Sequence, residues 1–190
     1  MTRENKTDTV KSYGHMGAAT TANDTKSKFN LAIHHNSSGI IGGSSSLKGL
    51  ELYIANDTKL DLAKLFVKNI TKYANTTTSP KDLDKVTDGI YQRFFTEDEI
   101  AEEQNPPANK NTNTIYYYFL REVGGIATHA YNDGRYENMD ENPYYNSNNT
   151  AESYLFEMGY LDNVQNLRNI QSNKEGYAKG VVTALQEYLK

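Results

Sequence analysis

Two apolar runs, far apart in the chain, constrain its fold more than any other feature. The first, Phe29-Asn30-Leu31-Ala32-Ile33, ends abruptly in His34-His35-Asn36-Ser37-Ser38-Gly39. The second, Tyr154-Leu155-Phe156, delivers a single carboxylate, Glu157, and passes into Met158-Gly159-Tyr160-Leu161-Asp162-Asn163. Each reads as a strand that stops where polar residues begin. In an open α/β sheet, ligands and metals gather at such strand ends. Imidazole is the commonest protein ligand for zinc, and a rigid strand end holds it in place. A histidine and a glutamate on one rim of a sheet is the arrangement that hydrolytic zinc chemistry requires.

The rest of the chain gives an α/β order around these runs. Residues 5–28 are polar, with a short helix expected before the strand at 29–35. A glycine-serine loop, Ser37 to Ser46, follows. A strand is expected at 49–54 and a helix from Asp57 to Tyr73, where Leu62, Leu65, Phe66, Ile70 and Tyr73 recur at helical spacing and mark one buried face. Residues 81–103 are expected to hold one or two acidic helices, ended by Asn105-Pro106-Pro107. Ile115-Tyr116-Tyr117-Tyr118-Phe119-Leu120 is rich in the aromatic residues that favour strands, and Arg121 ends it. Residues 127–150 read as a long loop dense in Tyr, Asn, Asp and Gly, followed by the strand carrying Glu157. A short helix near 163–170 comes next, then a last helix with Tyr177, Val181, Leu185 and Tyr188 on one face. The expected architecture is an open, mostly parallel twisted sheet flanked by helices in three layers.

Composition narrows the class. A chain of 190 residues fits one domain, 1–190, with a real core. The net charge is −4, acidic and basic residues are interspersed, and the absence of a basic stripe argues against a nucleic-acid partner. There are no cysteines, so disulfides and thiolate ligands are excluded. No run approaches the roughly 20 apolar residues needed to span a membrane.

The two runs also carry a resemblance. Ala32-Ile33-His34-His35-Asn36-Ser37 resembles the strand-end histidine motif of the zinc-dependent N-acetylmuramoyl-L-alanine amidases, an α/β family that cuts peptidoglycan. Leu155-Phe156-Glu157-Met158-Gly159-Tyr160-Leu161-Asp162-Asn163 resembles that family's second signature, an apolar pair, a glutamate, then Gly-aromatic-Leu-x-Asn. Other pieces fall in family order. Met1-Thr2-Arg3 is similar to a strand ending in Thr-Arg, Gly49-Leu50-Glu51-Leu52-Tyr53 resembles the next strand, and Tyr177 to Leu189 resembles the closing helix.

The resemblance implies a secreted or wall-associated bacterial hydrolase acting on peptidoglycan glycan-peptide strands, in the manner of an autolysin, sporulation hydrolase or phage-type lysin. It implies zinc, with His34 as one of three ligands and Glu157 as the base that activates water. Asn36 is expected to hydrogen-bond the histidine loop or the substrate, and Arg121 to pair with a peptide carboxylate or cap its strand. Alternation along a strand separates His34 from His35, so they do not share one metal, and His35 is expected to line a groove or support the site. Residues 75–113 read as a family insertion. The family's early glycine-histidine loop and helical glutamate ligand have no counterpart in this sequence. Gly14-His15-Met16-Gly17 is only superficially similar, because no Glu occurs between Glu4 and Glu51. The expectation is therefore a domain lacking its front. The alternative is a peptidoglycan-binding relative that keeps the groove and has lost the metal.

Overall fold

The structure is a computed structural model, and it describes residues 25–40, 44–54, 59–92 and 152–190. Its elements run β1 (Phe29–Asn36), β2 (Glu51–Ile54), α1 (Leu60–Tyr73), β3 (Lys85–Thr87), β4 (Ile90–Tyr91), β5 (Glu152–Tyr160), α2 (Val164–Ser172) and α3 (Lys174–Tyr188). The fold class is α/β, a mixed, mostly parallel sheet flanked by helices, as the sequence predicts. The five strands lie in the order β1-β5-β2-β4-β3. β2 and β4 are parallel, with Leu52 opposite Ile90 and Tyr53 opposite Tyr91. β1 and β5 also run the same way, since Glu152 N–H donates to Lys28 C=O at 3.0 Å where they begin, and Leu161 N–H to Asn36 C=O at 2.9 Å where they end. β3 alone is shown antiparallel, against β4.

The chain divides into two compact units, one of residues 1–32 and 92–154, the other of 33–91 and 155–190. In the first, the described residues are 25–32, Gln92 and 152–154, which include the opening residues of the two long strands. Asn30 donates to Ser153 Oγ at 3.4 Å there, and Tyr154 Oη to Glu152 at 2.7 Å. The second unit holds the three described helices and the parts of the motifs that carry His34, Asn36 and Glu157.

Parallel strands need a crossover, and α1 lies on the one between β2 and β4. Leu62, Ala63, Phe66, Asn69 and Ile70 form its buried stripe, a helical period with Asp61 in the first turn and Lys72 in the last to oppose the helix dipole. Phe66 meets Phe156 of β5 edge-on, ring centres 4.9 Å apart. Where α1 ends, Asn75 takes a φ of +48°, and Asn169 and Asn173 both donate to Ala74 C=O, at 3.0 and 2.8 Å. Asn163 caps α2 by accepting from Asn166 N–H at 3.0 Å. α3 packs on α1 so closely that a Cβ on Gly180 would stand 2.6 Å from Ile70 Cα.

Residues 81–92 depart from the expected acidic helix. Val86-Thr87 and Ile90-Tyr91 are β-branched and aromatic residues on either side of Asp88-Gly89, and with Lys85 they make up the paired strands β3 and β4. Gly89 adopts a φ of +72°, and its C=O accepts from Leu52 N–H at 2.8 Å, which seats the turn beside β2. Residues 93–113, the strand expected at 115–120 and the tyrosine-rich loop at 127–150 lie outside the described residues.

Candidate functional site

The two faces of the sheet can be told apart by what their side chains touch. Ile33 and His35 of β1, with Met158 of β5, line a groove of about 410 Å³ against Ile170 of α2 and Tyr177 and Val181 of α3. Phe156 meets α1 on the same side. Period-2 alternation then turns His34, Asn36 and Glu157 to the opposite face. Two observations agree. Asn36 Nδ2 donates to Glu51 at 3.2 Å, and the Tyr53 phenol feels the charges of both Glu51 and Glu157. His34 and Glu157 therefore share one face of two neighbouring strands, both half-buried. His35 is on the helix face, where burial holds its imidazole below the usual pKa.

At the centre of the site face lies a buried acid. Glu51 is 0% exposed and accepts from Tyr53 Oη at 2.6 Å, from Tyr160 Oη and from Asn36, with Lys81 Nζ at 4.0 Å. Lys81 also donates to Tyr53 Oη at 2.9 Å and stands over the Tyr53 and Tyr91 rings. Burial first, then the charge and hydrogen bond of Glu51, raise the Tyr53 phenol far above its ordinary value. Tyr160 rises for the same reasons, and Tyr91 is pushed up to about 12, again mainly by burial. These phenols stay protonated as donors. Tyr160 reaches Glu51 although strict alternation would put it with Met158; Gly159, at φ +153°, breaks the pattern between them.

A second set of bonds ties the histidine run to the glutamate run. Asp162 Oδ2 accepts from Ser38 Oγ at 2.6 Å, Ser38 N–H at 2.7 Å, Ser37 Oγ at 3.1 Å and Ile40 N–H at 3.3 Å. The Ser38 hydroxyl bond is the largest cause of its lowered pKa. Asn163 Nδ2 donates to Ser45 C=O at 2.8 Å, and Asn166 Oδ1 accepts from both Gly49 N–H and Tyr160 N–H. The loop after β1 is thus stitched to the turn after β5.

Of the residues singled out from sequence, His34, Asn36 and Glu157 come to one face of the second unit. Asn36 bonds Glu51 through Nδ2, and its Oδ1 accepts from Ser37 N–H at 2.8 Å. Arg121 and His15 lie outside the described residues. Among the described residues, no three His, Cys, Asp or Glu side chains gather as a metal-binding group. Glu51, Tyr53, Lys81, Tyr160 and Asp162 went unnoticed in the sequence. Glu51 had a legible signal, a charge inside the apolar run Leu50-Glu51-Leu52-Tyr53-Ile54, where only a fully bonded acid can be buried.

No protein-family model matches the chain, and no curated protein matches it. Among solved structures, the chain is similar to the apo form of the N-acetylmuramyl-L-alanine amidase Ami1 from Mycobacterium abscessus. That likeness has a TM-score of 0.49 and 15% identity, over 90% of this chain and 59% of the other. It is also similar to the N-acetylmuramoyl-L-alanine amidase from Clostridium difficile 630, with a TM-score of 0.47 and 18% identity, over 90% of this chain and 63% of the other. The chain thus spans about three-fifths of the length of each of these two proteins.

Proposed function

We propose that this chain is a peptidoglycan hydrolase that cleaves the amide between the lactyl group of N-acetylmuramic acid and the L-alanine of the stem peptide. The observation that carries the reading is the shared face of His34, Asn36 and Glu157 in the C-terminal halves of neighbouring strands, with β5 running on past Glu157 to Tyr160. Glu157, half-buried, is the base. It takes a proton from water as the oxygen attacks the amide carbonyl carbon, and returns it to the alanine nitrogen as the C–N bond breaks. Asn36, held by Glu51, offers its carboxamide to the histidine loop or to the stem peptide, and Arg121 pairs with a peptide carboxylate. Such an enzyme works on the bacterial wall, as a secreted or wall-associated protein.

Zinc is the cofactor this reading implies, and bound to a site of this kind it would polarise the amide carbonyl and acidify water. His34 has the chemistry of one ligand. The described residues bring no three-donor group to it. The alternative reading is a peptidoglycan-binding protein that does not cleave.

Mass spectrometry of fragments released from purified peptidoglycan, with zinc added, tests both. Stem peptides with a free N-terminal alanine are expected from the native chain, and a loss of about 100- to 10,000-fold in their release from Glu157→Gln. Co-sedimentation with peptidoglycan but no release from either protein would select the binding reading.

A further inference from the structure

The buried acid at the centre of the site face takes no part in the reaction written above. Glu51 is fully buried, and a buried acid is tolerated only where hydrogen-bond donors surround it. Those donors come from three strands. Asn36 closes β1, Tyr53 lies on β2 beside Glu51 itself, and Tyr160 closes β5. Lys81, from the segment after α1, adds a cation at 4.0 Å and a bond to Tyr53. Asn36 follows His34 by two positions, and Tyr160 follows Glu157 by three. An apolar side chain could fill the same volume with little loss of stability, as is often found for buried ionic groups. What an apolar residue could not do is fix the directions of three polar side chains from three strands.

We infer that Glu51 is a positioning residue, whose carboxylate ties the ends of β1 and β5 to β2 and so sets Asn36, His34 and Glu157 in register with one another. Its effect on turnover rests on the amidase reading; its geometry does not. A glutamine at this position has one accepting oxygen and an amide that donates, so at least one of the three present donors would face another donor. Asn36 and Tyr53 share Oε2 and Tyr160 holds Oε1, so the new amide turns on that pair or on Tyr160, and in either case Asn36, on the longest of the bonds, loses the charged acceptor that holds it.

The experiment compares Glu51→Gln, Asn36→Ala and the double variant, with Tyr160→Phe as a variant that removes one donor at almost constant volume. A displacement of about 1 Å at a reacting group costs on the order of 100-fold. Turnover of muropeptides is therefore expected to fall about 10- to 100-fold in Glu51→Gln with KM little changed and the melting temperature nearly kept. The double variant is expected to be no slower than the slower single, because both act through one contact. The Asn36 side-chain amide resonance is expected to shift in Glu51→Gln, a readout that needs no activity. If the native chain fails to cleave and the resonance shifts, the amidase reading falls while the positioning role stands. An unmoved Asn36 resonance, wild-type turnover in Glu51→Gln, or strictly additive losses would overturn the inference.

Discussion

Asp162 concentrates four donors on one carboxylate oxygen, all from the three residues Ser37, Ser38 and Ile40. Hydrogen bonds to the charged form lower its pKa below 3.8. A depressed carboxylate pKa contributes stability that is complete above the unfolded value and is lost as pH falls through the folded one. The difference in melting temperature between the native chain and Asp162→Ala should therefore be full at neutral pH, shrink below pH 3.8, and vanish in stronger acid. A difference that stayed constant down to pH 2 would show that the clamp does not depend on the charge. The histidines permit an equally sharp test. His34 and His35 are neighbours in sequence on opposite faces, so under the proposed zinc reading the calorimetric heat of zinc binding should mostly be lost in His34→Ala and kept in His35→Ala. Equal losses would mean that β1 does not hold its alternation at this point.

Among the elements, those with a strong period were legible and those resting on a turn were not. The α1 stripe and the two motif strands follow from hydrophobic spacing alone, and the helices after β5 end within a few residues of their expected limits. β3 and β4 fall where the sequence reading expects acidic helices over 81–103. The Asp88-Gly89 pair between two β-branched stretches was the better signal. The packing of α3 on α1 was not legible at all, since nothing in Gly180 itself says that Ile70 will lie against it. That contact yields a prediction against propensity. Alanine is the better helix former by about 1 kcal/mol, yet the added Cβ would stand 2.6 Å from Ile70 Cα, and backbone cannot swing aside. Gly180→Ala is expected to destabilise by about 1–3 kcal/mol in denaturant unfolding. Stabilisation would mean that α1 and α3 sit further apart.

For the molecule as a whole, the site joins two motifs that lie more than 100 residues apart in the sequence. The second unit draws residues 33–91 and 155–190 together, and β2, buried at every position, runs through it with Glu51 at its start. β1 is different: its eight residues are half-buried or exposed throughout, Ile33 to 61%. Amides whose hydrogen bonds lie under packed apolar groups open only with the whole fold, whereas those on thinly covered strands open locally at lower cost. Native-state hydrogen exchange should therefore protect α1, β2 and the middle of α3 to the level of global unfolding, and β1 less. The Glu51 and Asp162 contacts fall at the end of β1, so protection there is expected to rise from Ile33 towards Asn36. Loss of that gradient in Glu51→Gln, with β2 still fully protected, would locate the effect of the buried acid at the strand end that carries His34. A gradient unchanged in that variant would leave the stitching to Asp162 alone.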